Sequence, residues 1–132
     1  MVAYSFQPRF APLIRAGVKL QTIRAERERH ARPGERLQLF TGMRTAHCMK
    51  IMHDPVCTMV LPIRIGFATG EITRIEVGRV PVRDLDQFAV LDGFTDIDDM
   101  SAFWREHHGV RDFSGGVIEW AMPRGQQVQV AA

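Results

Sequence analysis

Apolar and polar or small residues alternate through Val2-Ala3-Tyr4-Ser5-Phe6, the period of a strand with one buried face. The period then lengthens. Phe10, Leu13 and Ile14 stand at i, i+3 and i+4, which predicts a short helix bracketed by Pro8 and by Gly17, a residue suited to the left-handed helix C-cap. The segment from Lys19 to Arg24 leaves that helix through a tight turn. Arg32-Pro33-Gly34-Glu35 predicts another turn, followed by a strand over Leu37, Gln38, Leu39 and Phe40 that ends near Gly42. Between 56 and 80, Val60, Ile63, Ile65, Phe67, Ile72, Ile75, Val77 and Val80 are punctuated by Gly66, Gly70 and Gly78, the pattern of strands and hairpins. Pro62 has no N–H to give a ladder, so it argues for an edge or a bulge.

Two helices are predicted next. Asp84 caps the first, with Gln87 three residues on, and Leu85, Phe88 and Ala89 form its apolar face before Gly93. The second starts near Thr95 or Asp96, carries Ile97, Met100, Phe103 and Trp104 on one stripe, and ends at Gly109. Trp104, like Trp120, is expected to pack rather than to stack on a base. Asp96, Asp98 and Asp99 match no calcium loop and complement the helix N-terminus, while His107 and His108 suit its carbonyl end. Gly116-Val117-Ile118-Glu119-Trp120 is a closing strand. The order β-α-β-β-β-β-α-α-β predicts an α+β protein, a small curved sheet or barrel with helices packed on one side.

Composition narrows the class. At 132 residues and 45% hydrophobic content the chain suits one globular domain, with residues 1–122 as the domain and 123–132 as a flexible tail. No stretch approaches the ~20 apolar residues that span a bilayer. The start MVAYSFQPRF also lacks the layout of a secretory signal, so no membrane partner and a cytoplasmic location are expected. Cys48 and Cys57 are too few to staple such a domain and are expected as reduced thiols. The net charge of +2 conceals an asymmetry: residues 1–66 hold 11 basic and 4 acidic side chains, residues 67–132 hold 6 and 11. The first half could therefore present a footprint for phosphate. Of the 17 basic residues 15 are Arg, which singles out Lys19 and Lys50.

Candidate chemistry concentrates in Gly17-Val18-Lys19-Leu20-Gln21-Thr22-Ile23-Arg24. In a regular strand Lys19 and Thr22 point to opposite faces and converge only if the backbone turns between them. A neutral lysine beside a hydroxyl can take its proton and create a nucleophile, which the permanently charged guanidinium of arginine cannot do. Burial, or the neighbouring charges of Arg15 and Arg24, would lower the lysine pKa. The plainer alternative makes Lys19 and Arg24 solvated charges, Thr22 a strand residue, and Arg24 an ion-pair partner of Glu26. Arg27, Arg29, Arg32 and Arg36 with His30 either follow a nucleic-acid backbone or form a solvated loop diluted by Glu26, Glu28 and Glu35. Arg44 and Thr45 either bind phosphate or make a turn. His47, Cys48, His53, Asp54 and Cys57 have poor zinc spacing, so no metal and no cofactor are expected. Met43, Met49, Met52 and Met59 read as core filler.

Gly17-x-Lys19-x-x-Thr22-x-Arg24 matches the GxKxxTxR signature of the ASCH domain, in the PUA-like β-barrel superfamily. Arg32 to Leu37 resembles that family's turn into its next barrel strand. The run Phe88-Ala89-Val90-Leu91-Asp92-Gly93-Phe94 resembles its acidic helix-end motif, and Phe113 to Trp120 its closing strand, so the resemblance covers most of residues 5–120. It implies a PUA-like barrel with flanking helices and RNA-related work, since some small ASCH proteins hydrolyse the acetamide of N4-acetylcytidine with a Lys, Thr and Glu constellation. Lys19 and Thr22 match the first two, and Asp92 stands where those amidohydrolases have Glu, one methylene shorter. By that likeness Lys19, Thr22 and Asp92 are the candidate catalytic residues, and Arg24, Arg15, Arg44 and Thr45 the candidates for holding RNA or a modified nucleoside. A non-catalytic RNA-binding module is the alternative, favoured by Asp92 in place of Glu; cleavage of single-stranded RNA ranks last, because no histidine pair stands in an obvious acid-base arrangement.

Overall fold

The computed structural model describes residues 2–122; the tail at 123–132 lies outside them. Strand β1 (Val2–Phe6) has the expected alternation, with Val2, Tyr4 and Phe6 buried. A 3-10 turn over Pro8–Phe10 leads into helix α1 (Ala11–Arg15). Gly17 then takes φ +74°, and the N–H groups of Val18 and Lys19 both donate to the Leu13 carbonyl, so the helix end is wrapped by the segment that follows. Strands β2 (Gln21–Ala25), β3 (Leu37–Thr41), β4 (Met49–Lys50), β5 (Val56–Ala68), β6 (Glu71–Val77) and β7 (Val80–Pro81) come next. Helices α2 (Leu85–Leu91) and α3 (Ile97–His107) and strand β8 (Phe113–Ala121) complete the chain.

The protein is α+β. One sheet has the order β1-β3-β4, with β1 and β3 parallel, and the other is antiparallel in the order β2-β8-β5-β6-β7. The sheets do not close into a barrel among the described residues. They meet along one seam, where Arg36 bridges Val56, Leu37 N–H donates to the Pro55 carbonyl and Cys57 N–H donates to the Glu35 carbonyl. The opposite seam, between β1 and β2, is joined by a side chain: Arg24 Nη2 donates to the Ser5 carbonyl at 2.7 Å. Ile14, Leu37, Leu39, Ile63, Ile75, Met100 and Ile118 are all at most 1% exposed and form the core between the layers, each contributing roughly 1.5–3 kcal/mol by leaving water.

Both late helices carry the expected caps. Asp84 Oδ1 accepts from Gln87 N–H at 3.0 Å, and Asp96 Oδ1 from Asp99 N–H at 2.8 Å. Asp86 and Asp99 accept from further amides, those of Ile97 and Thr95, so four acidic residues of the second half serve helix starts.

Pro62 is not on an edge. It lies in β5, the centre of the larger sheet, opposite Gly116, and the two register shifts of β5 fall elsewhere, at Cys57/Met59 and Gly66/Phe67. Proline is tolerated because the ladder to β6 begins only at Ile63, and the Pro62 carbonyl accepts from the Gly78 turn. Of the four clustered methionines Met52 packs against the core, but the group does not fill it. Met49 is 63% exposed and the others are only partly covered, whereas the fully buried methionine is Met100.

Candidate functional site

A cleft of about 390 Å3 opens where the side-chain-latched seam meets the ends of α2 and α3, a size within the ~300–1,000 Å3 range of small-molecule sites. Lys19, Thr22, Arg24 and Asp92 all line it, together with Ser5 and Phe6 of β1, Phe10, and Phe103, Trp104, His107 and His108 of α3 and its end.

The convergence has a local cause. Leu20 N–H donates to the Leu91 carbonyl, and the Leu20 carbonyl accepts from Trp120, so the chain is pinned between α2 and β8 before regular strand geometry starts at Gln21. That turn places Lys19 on the same cleft as Thr22 despite their three-residue spacing. From Thr22 onward the strand period of two puts Arg24 on the Thr22 side, and Arg24 Nε donates to Thr22 Oγ1 at 2.9 Å. The hydroxyl oxygen thus accepts from a cation and keeps its own proton to give. Arg24 does not pair with Glu26; its donors go to Thr22 and to the Ser5 carbonyl.

Lys19 is 3% exposed and points at Asp92. Its Nζ donates to the Asp92 carbonyl at 2.5 Å and lies 3.7 Å from Asp92 Oδ1. The ammonium also faces the Phe10 and Phe6 rings, at 4.9 and 5.6 Å from their centroids. Burial pushes the Lys19 amine down to about 8; Asp92 opposes the shift and Arg24 adds to it. Asp92, 5% exposed, is pushed up by burial against the pull of Lys19, Gln21 and Arg24. Both groups are therefore driven toward their neutral forms by the same dry surroundings. Among the described residues no hydrogen bond joins Lys19 to Thr22: the amine is held by Asp92 and the hydroxyl by Arg24.

Asp92 reaches this position as the C-cap of α2, its N–H still bonded to the helix carbonyls of Phe88 and Ala89. Gly93 follows with φ +99°, and a Cβ there would stand 2.8 Å from Lys19 Cδ and 2.9 Å from Phe10 Cδ1. Glycine is needed both for the left-handed turn and for the passage of the lysine stem.

The remaining candidates are dispersed. Arg15 does not line the cleft; its Nε donates to the Ile51 carbonyl at 2.8 Å, on a separate hollow with Lys50 and His53. Nor is it among the charges that shift Lys19, a part taken by Arg24 and Arg9. Thr45 makes a turn, its hydroxyl donating to the Gly42 carbonyl and accepting from His47 N–H. Arg44 lies on a neighbouring hollow. The arginine-rich segment divides: Arg29 pairs with Glu35, whose other oxygen accepts from Arg32 N–H, while His30 stacks on Tyr4. Cys57 is buried in β5 and Cys48 is exposed.

Two groups behind the cleft wall carry no local signal in the sequence. Gln21 donates to Asp92 Oδ1 at 3.4 Å, and Arg9 covers the Phe10, Phe94 and Phe103 rings while pairing with Asp99 at 2.9 Å. The histidines at the end of α3 turn into the cleft instead of serving the carbonyl end. His107 packs on Phe103 and His108 on Trp104, and burial with the charges of His107 and Arg24 lowers the His108 pKa, which disfavours the cation a helix end would attract. Trp104 is packed as expected, 3% exposed and edge-on to Phe113, although its surface contributes to the cleft wall. No protein family matches this chain, and no curated protein or solved structure matches it.

Proposed function

We propose that the chain is an ASCH-type domain of PUA-like descent whose cleft takes a modified nucleoside, free or within RNA, and hydrolyses the acetamide of N4-acetylcytidine. One observation carries this reading: Lys19 and Asp92, 73 residues apart, are buried side by side on the same cleft as Thr22. The joining of the two sheets along two seams, one by backbone and one by Arg24, supports the PUA-like part of the reading.

The chemistry follows from the pKa directions. Neutral Lys19 takes the Thr22 hydroxyl proton, a loss eased by the Arg24 N–H that already faces Oγ1, and Oγ1 attacks the acetyl carbon as the carbonyl pair moves onto its oxygen. The tetrahedral intermediate collapses by breaking the C–N4 bond, with the proton for the departing cytosine amine supplied by protonated Asp92, the form burial favours. Water then adds to the acetyl-threonine ester, giving one proton to the Asp92 carboxylate, and the ester C–O bond breaks as Lys19 returns its proton to Thr22 Oγ1, releasing acetic acid. Lys19 must turn from the Asp92 carbonyl toward Thr22 for the first step.

A second reading has its own support. Lys19 is satisfied by Asp92 at 2.5 Å, and Asp is shorter than the Glu of the amidohydrolases, an arrangement suited to a fixed donor in a binding module. Incubating the protein with N4-acetylcytidine and following cytidine by chromatography separates the two. Conversion that drops at least about 100-fold in Lys19→Ala and Thr22→Ala supports the amidohydrolase. Absence of conversion at high protein concentration, together with RNA binding that weakens steeply with salt, supports the module.

A further inference from the structure

Beside the cleft lies a second hollow of about 470 Å3, lined by Tyr4, Ser5, Arg24, Arg27, Met43 and Arg44 with Ala3. Ser5 and Arg24 belong to both walls. Three guanidinium groups border this hollow and no carboxylate does. Neither Arg27 nor Arg44 has an ion pair or hydrogen bond from its side chain among the described residues, although the chain carries 15 acidic residues. Arg24 and Arg27 both lie near the Tyr4 ring, their guanidinium carbons 5.3 and 5.1 Å from its centroid, and the Arg27 charge bears on Arg24 against the pull of Asp92. Arg24 commits N–H groups to Thr22 and Ser5 and retains others on its fork. Arg44 is held at φ +66°, an uncommon conformation for a residue with a Cβ, in the turn that also brings Met43 N–H to Ser5 Oγ at 3.3 Å.

We infer that this three-arginine hollow binds a phosphate group attached to the ligand in the adjoining cleft. The inference rests on the nucleoside reading above and deepens it: the natural ligand is a nucleotide, either a mononucleotide or a residue in an RNA strand. A phosphate accepts several N–H bonds at once, the geometry a guanidinium fork serves and an ammonium does not.

Calorimetry on the full chain with N4-acetylcytidine, its 5′-monophosphate, a five-residue oligoribonucleotide containing the same base, and inorganic phosphate tests it. The phosphorylated ligands should bind about tenfold or more tighter than the nucleoside at low salt, and the ratio should fall toward 1 in the doubly substituted Arg27→Gln, Arg44→Gln protein. Tight binding of the mononucleotide assigns the hollow to a phosphomonoester; tight binding of the oligomer alone assigns it to a backbone phosphodiester. Equal affinity for nucleoside and both phosphorylated ligands overturns the hollow while leaving the nucleoside reading standing. Failure of every nucleoside form to bind, with inorganic phosphate still bound and released by the double substitution, overturns the nucleoside reading and keeps the anion site.

Discussion

Asp92 meets Lys19 with two chemically different groups, a carbonyl that never titrates and a carboxyl that does. The carbonyl bond persists across pH, so the charge on Lys19 depends on burial first and on the carboxyl second. An unfolded lysine keeps its proton to about 10.5 and the folded one only to about 8, so between these values the unfolded chain binds more protons and Lys19 makes stability rise with pH. Below about 8 the full cost of the buried charge is present. Cys57 and Tyr4, raised from 9.0 and 10.0 by burial, act in the opposite sense above those values. Comparing urea midpoints of the wild type and Lys19→Met from pH 7 to 10 isolates the lysine: the wild type should gain on the variant as pH rises above 8, and parallel curves would contradict a depressed amine. If the amidohydrolase reading holds, conversion of N4-acetylcytidine rises with pH as Lys19 loses its proton, until Asp92 in turn loses the proton it must give. Lys19, Thr22 and Asp92 were legible because a spaced motif and its likeness to a family point to them. Gln21, Ser5 and Arg9 were not, because a partner 71 positions away, as Asp92 is from Gln21, leaves no local spacing to read.

The end of α2 joins two tasks in consecutive residues, Asp92 supplying polar groups and Gly93 the space beside them. Gly93→Ala should combine left-handed strain with collision against Lys19 and Phe10, whereas Gly109→Ala, at φ +87° with nothing within 4 Å, suffers strain alone. The expected losses are about 1 kcal/mol for Gly109→Ala and about 2–4 kcal/mol for Gly93→Ala, measured by urea denaturation. Equal losses would mean that the lysine stem yields freely. At this scale the sequence was most informative where a chain signal and a tertiary need agree. Asp84 and Asp96 cap their helices as side-chain chemistry requires, and Trp104 and Met100 face the core as the helical period requires. It misled where a neighbour decides: Pro62 sits in a central strand because its missing N–H falls where one ladder has ended, and Met49 is exposed because β4 is a two-residue edge.

Across the whole molecule the two sheets are held unequally. Main-chain bonds around Arg36 and Val56 tie one margin, while at the other no backbone pairing links β1 to β2 among the described residues and Arg24 spans the gap. Arg24→Lys keeps the charge and loses the fork, since one ammonium cannot reproduce the guanidinium contacts to both Thr22 and Ser5. It should cost about 1–3 kcal/mol of stability and speed amide deuterium exchange in β1 and β2 more than in β5 and β8; uniform acceleration would show that Arg24 is not a local fastener. The fold class was legible from the order of elements, but which strands share a sheet was not, because β1 pairs in parallel with β3 across an excursion through α1 and β2 into the other layer. That inequality makes the molecule resemble a book bound along one edge and fastened by a clasp along the other. On the nucleoside reading proposed above, a ligand settling in the cleft would brace the two covers together, because Ser5, Phe6, Thr22 and Arg24 of both margins line it. Slower deuterium uptake at Ser5, Phe6 and Ile23 would then betray occupancy even for a compound that undergoes no reaction.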